Sequence, residues 1–327
     1  MKHIVIVIPK GNLNLSSVTG SYEILSRANS YWQKMGKASR LDIRIASFEK
    51  ELKLDAGYFS INPTDIREIQ KTDLVLVPSL SHDYDAILED NRELITWISE
   101  HYRSGAEVAT ICTGAFLLAA TGHLDGKSCS THWNAAAGFR RLFPDIELHI
   151  DQLLTVEKGI YTNGGAYSFL NLILFLVEKD FDRETAIYCS KIFQIDIERN
   201  SQSPFFIFQT QKSHGDELIG KAQTYIEENV SEKVSFEALA FKLAISRRNF
   251  DRRFIRATGN TPVEYLQRVK IEVAKKALEK GRKNISEVMN EVGYSDDKAF
   301  REIFKRITGL SPIDYKARYT QTSILNQ

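Results

Sequence analysis

The first half of the chain alternates short apolar runs with amphipathic stretches. Four runs rich in β-branched residues have strand length: residues 4–9, 41–47, 72–79 and 107–112. Helical patterns lie between them, for example over 20–36 and over 90–105, where Gly105 stands just past the end. Strands that alternate with helices predict an α/β domain with a mostly parallel sheet covered on both faces.

A change of pattern predicts the domain organisation. Residues 153–165 (LLTVEKGIYTNGG) have the pattern of a hairpin, and a buried helix is expected directly after them. Periodicity is then lost over 200–215, where Ser, Pro, Gln and Gly gather. Beyond that segment the patterns are helical. We therefore predict a first domain over 1–200, a linker over 201–215 and an all-α second domain over 216–320.

The second half contains a repeat. Residues 254–265 (FIRATGNTPVEY) and 304–315 (FKRITGLSPIDY) match at Phe, Arg, Thr, Gly, Pro and Tyr, at an offset of fifty residues. Each copy has a short helix, a turn and a second helix with an N-cap residue, Ser246 or Asp296. Glycine ends each second helix. This pattern predicts two helix-turn-helix units in tandem, a motif whose second helix can lie in the major groove of DNA.

Helical spacing places a basic row opposite the apolar face of each second helix. In the first copy Phe250 and Phe254 share the inward face. The outward face there carries Arg248, Arg252 and Arg256, with Asn249 beside them, and in the second copy it carries Lys298, Glu302 and Arg306, with Lys305 near. Arginine suits phosphate and guanine, and asparagine suits adenine. An isolated row of this kind is more often a solvated surface, but its position after a turn in both copies favours DNA binding.

Residues 217–318 resemble the AraC/XylS family DNA-binding domain. The resemblance rests on SRRNFDRRFIRATGNTP and on VGYSDDKAFREIFKRITGLSP. It implies two helix-turn-helix units, bridged by a long helix over 262–280, that enter successive major-groove segments on one face of the DNA. Base-reading candidates carried over by position are Arg248, Asp251 and Arg252 in the first unit, and Asp297, Lys298, Arg301 and Glu302 in the second.

Some positions depart from that family pattern. Ala244 stands where the family often has glycine, and Met289 stands where it often has alanine. Asp297 and Glu302 are acidic residues near the expected phosphates, although a carboxylate can accept a hydrogen bond from cytosine N4. The second unit is therefore expected to bind DNA more weakly than the first.

The chemistry of the first half centres on Cys112. The stretch TICTG follows a predicted strand and precedes a helical run, and Thr110 and Gly114 flank the cysteine at two residues on each side. A tight strand-to-helix turn of this kind exposes its central side chain at the carboxyl edge of the sheet. The helix N-terminus is expected to lower the pKa of the thiol. The alternative is a small buried apolar residue, the interpretation that we adopt for Cys129 and Cys189.

Residues 1–180 resemble the ThiJ/PfpI branch of the class I glutamine amidotransferase-like fold. CTGAFLLAATGHLDGKSCSTHW and YTNGGAYSFLNLILFLVE carry the resemblance, which implies a flavodoxin-like three-layer sandwich. With the second domain, the whole chain resembles the GlxA-type transcriptional regulators. Enzymes of the superfamily hold an acid against the cysteine, and here Ser17 takes that place while Glu23 lies further along. Peptidase-like members have His after the nucleophile, where this chain has Thr113.

These departures make hydrolysis an unfavoured function, because a thiol nucleophile needs a base within hydrogen-bond reach. We expect no catalytic residue and no metal or nucleotide cofactor. The remaining candidate is a pocket at the carboxyl edge of the sheet that senses a small molecule or an oxidant, lined by Cys112, His132, Trp133 and Asn163. Ordinary packing is an equal explanation for His132 and Trp133.

Composition and charge complete this interpretation. Residues 216–320 carry 21 Lys and Arg against 16 Asp and Glu, a net charge of +5, and the remainder has −4. A basic half indicates, weakly, a polyanionic partner. Three cysteines, no signal peptide and no membrane-length apolar run favour the cytoplasm.

We therefore expect a sequence-specific transcription regulator. Its partners would be double-stranded DNA and an unidentified small-molecule effector, and homodimerisation is plausible. The rival hypothesis is a Cys-dependent hydrolase, amidase or deglycase with an appended DNA-binding domain. A third hypothesis is that the first domain is a dimerisation module that binds no ligand.

Overall fold

The computed structural model describes residues 1–80, 83–197, 199, 201–212 and 214–320, with Asp55 described by its backbone alone. The chain divides into two compact units, the first ending at Gln202 and the second beginning at Ser203. No helix in the described ranges has both the length and the apolar character that crossing a bilayer requires. Each unit is presented on its own below.

The first unit is built on a seven-stranded sheet in the order β10-β11-β7-β6-β1-β2-β5. Its neighbours pair in parallel except β10 and β11, which form the expected antiparallel hairpin. Two small ladders, β3–β4 and β8–β9, lie outside it. The strands are β1 Lys2–Val7, β2 Leu41–Ser47, β3 Leu52–Leu54, β4 Phe59–Ile61, β5 Thr64–Asp65, β6 Leu74–Val77, β7 Glu107–Ile111, β8 Ser128–Cys129, β9 Glu147–Leu148, β10 Leu154–Glu157 and β11 Ile160–Asn163.

Helices cover both faces of this sheet. They are α1 Leu15–Lys34, α2 Tyr84–Asp90, α3 Arg92–Arg103, α4 Ala115–Ala119, α5 Ala136–Leu142, α6 Phe169–Asp180 and α7 Arg183–Phe193. Alternate residues of the central strands enter two separate apolar cores: Val5 packs with residues of α3, α4 and α5, and Ile4 packs with residues of α1, α6 and α7. This arrangement confirms the predicted α/β domain with a mostly parallel sheet, since both sheet faces are buried.

Several elements of the first unit differ from the sequence-based expectation. Helix α1 begins at Leu15, five residues before the predicted start, because the side chain of Asn14 accepts a hydrogen bond from the Ser16 amide and caps the helix there. Helix α7 was not predicted, although the Asp182 side chain caps its start by accepting from the Thr185 amide.

The second unit is helical throughout its regular structure in the described residues. Its helices are α8 Glu217–Glu228, α9 Phe236–Lys242, α10 Arg247–Thr258, α11 Pro262–Glu279, α12 Ile285–Glu291, α13 Asp297–Thr308 and α14 Pro312–Tyr319. Ser246 and Asp296 cap α10 and α13 by accepting from the backbone amides three residues later. Gly259 and Gly309 end these helices in the left-handed conformation. The unit therefore contains the two predicted helix-turn-helix pairs, α9–α10 and α12–α13.

The second unit has two halves, one around α10 and one around α13, and equivalent aromatic clusters form the core of each. Phe250 and Phe254 of α10 pack with Tyr265 of α11, and the Phe254 and Tyr265 ring centroids are 5.3 Å apart in an edge-to-face arrangement. The second half repeats this arrangement, with Phe304 and Tyr315 5.4 Å apart. All these side chains are buried. The second helix of each pair, α10 or α13, is thus fixed to the helix that follows it by the same packing.

The segment that was expected to be a linker is partly packed against the second unit. Phe208 is buried in the core of the first half of that unit, and Phe206 packs against the same core. The predicted bounds of the two domains, 1–200 and 216–320, stay a prediction.

We predict that Ala244→Gly stabilises the second unit. Ala244 follows α9 with a φ of 55°, a conformation that strains an L-residue with a Cβ. Relief of that strain, reduced by the larger entropy that glycine has in the unfolded chain, should raise the free energy of unfolding by about 0.5–1 kcal/mol. Urea denaturation followed by circular dichroism measures the change. An unchanged or lower free energy would contradict this account.

The matched control is Gly293→Ala, at the corresponding turn after α12. Gly293 has a φ of 69°, and a Cβ there would lie 2.2 Å from the carbonyl oxygen of Ser231. This substitution should lower the free energy of unfolding by about 2 kcal/mol or more, because it adds backbone overlap to left-handed strain.

Candidate functional site

The exposed face of α10 presents a row of arginines. Arg248, Arg252 and Arg256 are all exposed, on the side of the helix away from buried Phe250 and Phe254. None of the three arginines forms a salt bridge with any residue in the described ranges. A guanidinium without a carboxylate partner is free to pair with phosphate or with the edge of guanine.

A half-buried asparagine lies beside this row. The side-chain oxygen of Asn249 accepts a hydrogen bond of 3.1 Å from Nη2 of Arg252. This contact orients the guanidinium along the helix surface. Because the side-chain oxygen is the acceptor, the side-chain nitrogen of Asn249 keeps its two donor hydrogens.

Other charged residues of α10 are engaged inside the protein. Nε of Arg247 lies 2.9 Å from Oδ1 of Asp251, and Nη1 of Arg247 lies 2.5 Å from Oε1 of Glu237. Arg253 forms a two-bond pair with Asp216, at 2.7 and 2.8 Å. Asp251, a base-reading candidate, is thus the intrahelical partner of Arg247. The sequence alone did not indicate that Arg247 and Arg253 form ion pairs within the protein and so help to hold α10 in place.

Helix α13 has a different electrostatic character. Nε of Arg301 lies 2.6 Å from Oδ2 of Asp297, and Nζ of Lys298 lies 4.0 Å from Oε1 of Glu302. Arg306 donates a 2.6 Å hydrogen bond to the Gln267 side chain. The cations of this face are therefore partly neutralised by carboxylates of the same helix, which weakens their attraction for phosphate.

In the first unit Cys112 occupies a tight turn at the end of β7. Its φ is 55°, and the three residues Cys112–Gly114 form a 3₁₀ turn before α4. Gly114 allows this turn, because a Cβ at that position would lie 2.6 Å from the Pro78 carbonyl oxygen and 2.7 Å from that of Val77. The strand, turn and helix thus have the geometry of a nucleophile elbow.

The thiol itself is shielded. Cys112 is only 4% exposed, and burial raises the pKa of its thiol, while hydrogen bonds with Ser79 and Thr113 act in the opposite direction without reversing the shift. The expectation of a lowered pKa is therefore wrong. Helix α4 has only five residues, so its dipole is small compared with the cost of desolvating a thiolate.

The positions that would supply a general acid or base hold hydroxyl groups bound to the backbone. Oγ1 of Thr113 donates to the carbonyl oxygen of Leu80 at 2.7 Å and accepts from its amide at 2.8 Å. Oγ of Ser17 donates to the Asn14 carbonyl oxygen at 2.7 Å and accepts from the Ser79 amide. Glu23 lies exposed on α1. The described surroundings of the thiol therefore supply hydroxyls in place of the acid and the histidine that enzymes of this type use.

The remaining pocket candidates lie on loops and strands next to the elbow. Nδ1 of His132 accepts a 3.1 Å hydrogen bond from the Asn134 amide, and it is the backbone amide of His132 that faces the Cys112 thiol. The ring centroid of Trp133 is 5.2 Å from that of His132. The imidazole of His132 thus acts as a cap of the turn Trp133–Ala135.

Asn163 is joined to the elbow through the sheet. It pairs in register with Ile111, the residue before Cys112. Its Nδ2 donates to the carbonyl oxygens of Leu153 and Ser168, while its buried Oδ1 has no hydrogen-bond partner in the described ranges. Asn163 is therefore a buried polar neighbour of the turn.

Ser79 and Thr131 are elbow contacts that the sequence analysis missed. Ser79 ends the predicted strand over 72–79, next to β7, and Thr131 donates a 2.9 Å hydrogen bond to the Cys112 carbonyl oxygen. The position of Ser79 at the end of a neighbouring strand was a signal that could have identified it.

Two family models match this chain. A model of the DJ-1/PfpI family matches residues 17–179, and a model described as a helix-turn-helix domain matches residues 239–318. The first match contains the Cys112 elbow. The second contains α10 and α13, which hold the position of the recognition helix in the two helix-turn-helix motifs. The chain therefore carries a DJ-1/PfpI domain followed by an AraC-type helix-turn-helix domain.

Two curated relatives match about two thirds of this chain. The HTH-type transcriptional regulator GbdR of Pseudomonas aeruginosa is 25% identical over 230 residues, which are 68% of this chain and 61% of GbdR. The HTH-type transcriptional regulator GlxA of Rhizobium meliloti is 24% identical over 223 residues, 66% of this chain and 67% of GlxA. The match thus spans about three fifths of the length of GbdR.

A solved structure has the same fold. The crystal structure of a candidate transcriptional regulator protein from Vibrio parahaemolyticus aligns with a TM-score of 0.53 and 24% identity. The alignment covers 58% of this chain and 98% of that one. This likeness shows the fold of the aligned part.

We predict that the Cys112 thiol is slow to alkylate at neutral pH. Because burial raises its pKa above the ordinary thiol value, the thiolate fraction is small at pH 7. In a Cys129→Ser, Cys189→Ser background, the rate of iodoacetamide labelling should still be increasing at pH 9. A chain unfolded in urea is the control for intrinsic reactivity. A labelling rate that levels off below pH 8 would contradict the prediction.

Proposed function

We propose that the protein is a sequence-specific DNA-binding transcription regulator of the AraC family. The observation that carries this proposal is the row of exposed arginines on α10, free of salt bridges in the described ranges, on the second helix of a duplicated helix-turn-helix unit. The relatives GbdR and GlxA, both named as HTH-type transcriptional regulators, support it. We propose the cytoplasm as the place of this function, because a transcription regulator needs access to DNA.

The two recognition helices have different roles in this proposal. Arg248 and Arg252 read guanine edges, Asn249 reads adenine, and Arg256 contacts phosphate. On α13 the cations Lys298, Arg301 and Arg306 contact phosphate, and the carboxylates Asp297 and Glu302 accept from cytosine N4. Since Asp297 and Glu302 lie close to cations on α13, the second unit contributes less affinity than the first.

The DJ-1/PfpI domain acts as a sensing or dimerisation domain in this proposal, and hydrolysis by Cys112 is not part of it. The hydroxyls of Thr113 and Ser17 are bound to the backbone and cannot take a proton from the thiol. A protonated, buried thiol also reacts slowly with oxidants. We therefore favour a small molecule over an oxidant as the effector, recognised near Cys112, His132, Trp133 and Asn163.

We predict that Arg252→Ala relaxes DNA sequence preference. Loss of one bidentate base contact should cost about 1–3 kcal/mol at the matching base pair and little elsewhere. The measurement is selection of bound genomic fragments by purified wild-type and variant proteins. Arg92→Ala, which removes an exposed arginine from α3 of the first domain, is the charge-matched control and should select the wild-type motif.

The selection also tests the proposed function as a whole. If the wild-type protein enriches a shared motif and Arg252→Ala loses part of it, sequence-specific regulation is supported. If the wild-type protein enriches no sequence, sequence-specific regulation is contradicted, and the basic half is at most a tether without sequence preference. The first domain must then be assayed as an enzyme.

We predict that Cys112→Ser alters the response to the effector. The thiol lies at the centre of the proposed recognition site, so replacing sulfur with a smaller hydroxyl should change which metabolites raise the melting temperature. Thermal shift screening of wild type and variant against a metabolite panel makes the comparison. Cys129→Ser replaces another buried thiol that is not on the elbow, and it should respond like wild type. An identical response from Cys112→Ser would remove the thiol from the recognition site, and a panel in which no metabolite shifts the melting temperature of the wild-type protein would favour a dimerisation domain without a ligand.

A further inference from the structure

The second unit begins with a segment that lies along α11 before the first helix of that unit. We call residues 203–208 the strap. Its first residues, Ser203–Phe205, form a 3₁₀ turn, and the next three belong to no regular element. The charged and aromatic groups that hold the strap are not explained by DNA reading.

A buried ion pair on α11 binds the backbone of the strap. Nζ of Lys275 lies 2.7 Å from Oε2 of Glu272 and donates a 2.5 Å hydrogen bond to the Phe206 carbonyl oxygen. The same carboxylate oxygen accepts a 3.1 Å hydrogen bond from the Phe208 amide. Lys275 is only 4% exposed. Buried ion pairs are often no more stable than apolar residues of similar size, so this pair is better explained by positioning than by stability.

The strap contacts both helix-turn-helix halves. In the first half, the Phe208 ring packs edge-to-face on Tyr265 with centroids 5.3 Å apart. In the second half, the Tyr319 hydroxyl donates a 3.1 Å hydrogen bond to the Pro204 carbonyl oxygen, and the Arg318 guanidinium lies 4.8 Å from the centre of the Phe205 ring. The strap therefore spans from one aromatic cluster to the other.

A connection of this kind has a mechanical consequence. The two halves have separate apolar cores, and α11 runs from one core to the other. Nζ of Lys270 on α11 also lies 3.5 Å from the carbonyl oxygens of Glu232 in the first half and Gly293 in the second, and the strap adds a further tie between the halves. Because the tie is made of directional hydrogen bonds to the backbone, it favours one angle between the halves.

We propose that the strap, held by Lys275 and Glu272, fixes the angle between the two helix-turn-helix units and so the spacing of the DNA segments that they read. This proposal rests on the proposed function, because spacing has meaning only for a protein that reads two segments. Lys275 and Glu272 are positioning residues in this account. They lie on α11, outside both recognition helices.

The experiment measures spacing preference in the double variant Lys275→Met, Glu272→Leu. Both charges are removed together, since removing one would leave the other buried without its partner. The two half-sequences selected by the wild-type protein are placed at separations that differ by single base pairs. Wild type should prefer one separation about tenfold over its neighbours, and the double variant less than about threefold, because the geometry that sets half-site spacing is loosened.

Controls separate positioning from charge and from folding. Lys276→Met removes an exposed cation from the same helix and should keep the wild-type preference. Lys275→Arg keeps a cationic donor at this position, so this variant should keep most of the wild-type spacing preference. If the double variant does not fold, Tyr319→Phe removes the hydrogen bond to the Pro204 carbonyl oxygen while keeping the ring, and it should still reduce the preference about twofold.

The outcomes are distinct. A folded double variant that keeps the full spacing preference would overturn the proposal, and so would an unchanged Tyr319→Phe where the double variant fails to fold. If the wild-type protein selects no motif at all, the proposed function fails and the strap has no spacing to set. If wild type selects a motif and only the variants lose the preferred separation, the proposal is supported.

Discussion

The packing of one tyrosine against two phenylalanines, made twice, determines how the second unit presents its surface. Tyr265 is completely buried, and its hydroxyl donates a 2.7 Å hydrogen bond to Glu227 while accepting one from Gln223. With both its ring and its hydroxyl engaged, the side chain has one orientation, and Phe254 packs against it. The rotation of α10 about its axis follows from this contact. The exposed face of that helix is therefore a consequence of what its opposite face buries.

Periodic patterns predicted those elements whose burial is regular along the chain. Strand β6 is apolar throughout, β1 and β7 are mostly apolar, and β2 alternates apolar and polar residues. The helix-turn-helix pairs are bounded by caps and glycines that act locally. Ladders of two or three residues, such as β8–β9, have too few positions to show a period. Helix α7 was missed because Ile187 and Ile192 lie exposed and blur its amphipathic pattern. Tertiary contacts decide such elements.

The candidate site likewise has features that local sequence predicts and features that depend on tertiary contacts. The arginine row of α10 could be predicted because helical spacing alone places Arg248 and Arg252 on one face. The pair between Arg253 and Asp216 could not, since the two residues are 37 positions apart and meet only in the folded chain. For Cys112 the local argument gave the wrong sign: a helix start favours the thiolate, but the side chains packed around it exclude water and outweigh that effect.

The duplicated aromatic clusters also bear on how such a protein changes over generations. Phe250 and Phe300 belong to separate cores, so a substitution on the surface of α13 leaves the packing of α10 undisturbed. Under the proposed function, the exposed face of each of these helices can therefore change on its own while the other continues to bind DNA. New binding sequences would then be reached through intermediates that keep half of the old specificity. The repeat within one chain thus allows an exposed helix face to change while the buried residues that maintain the fold are kept.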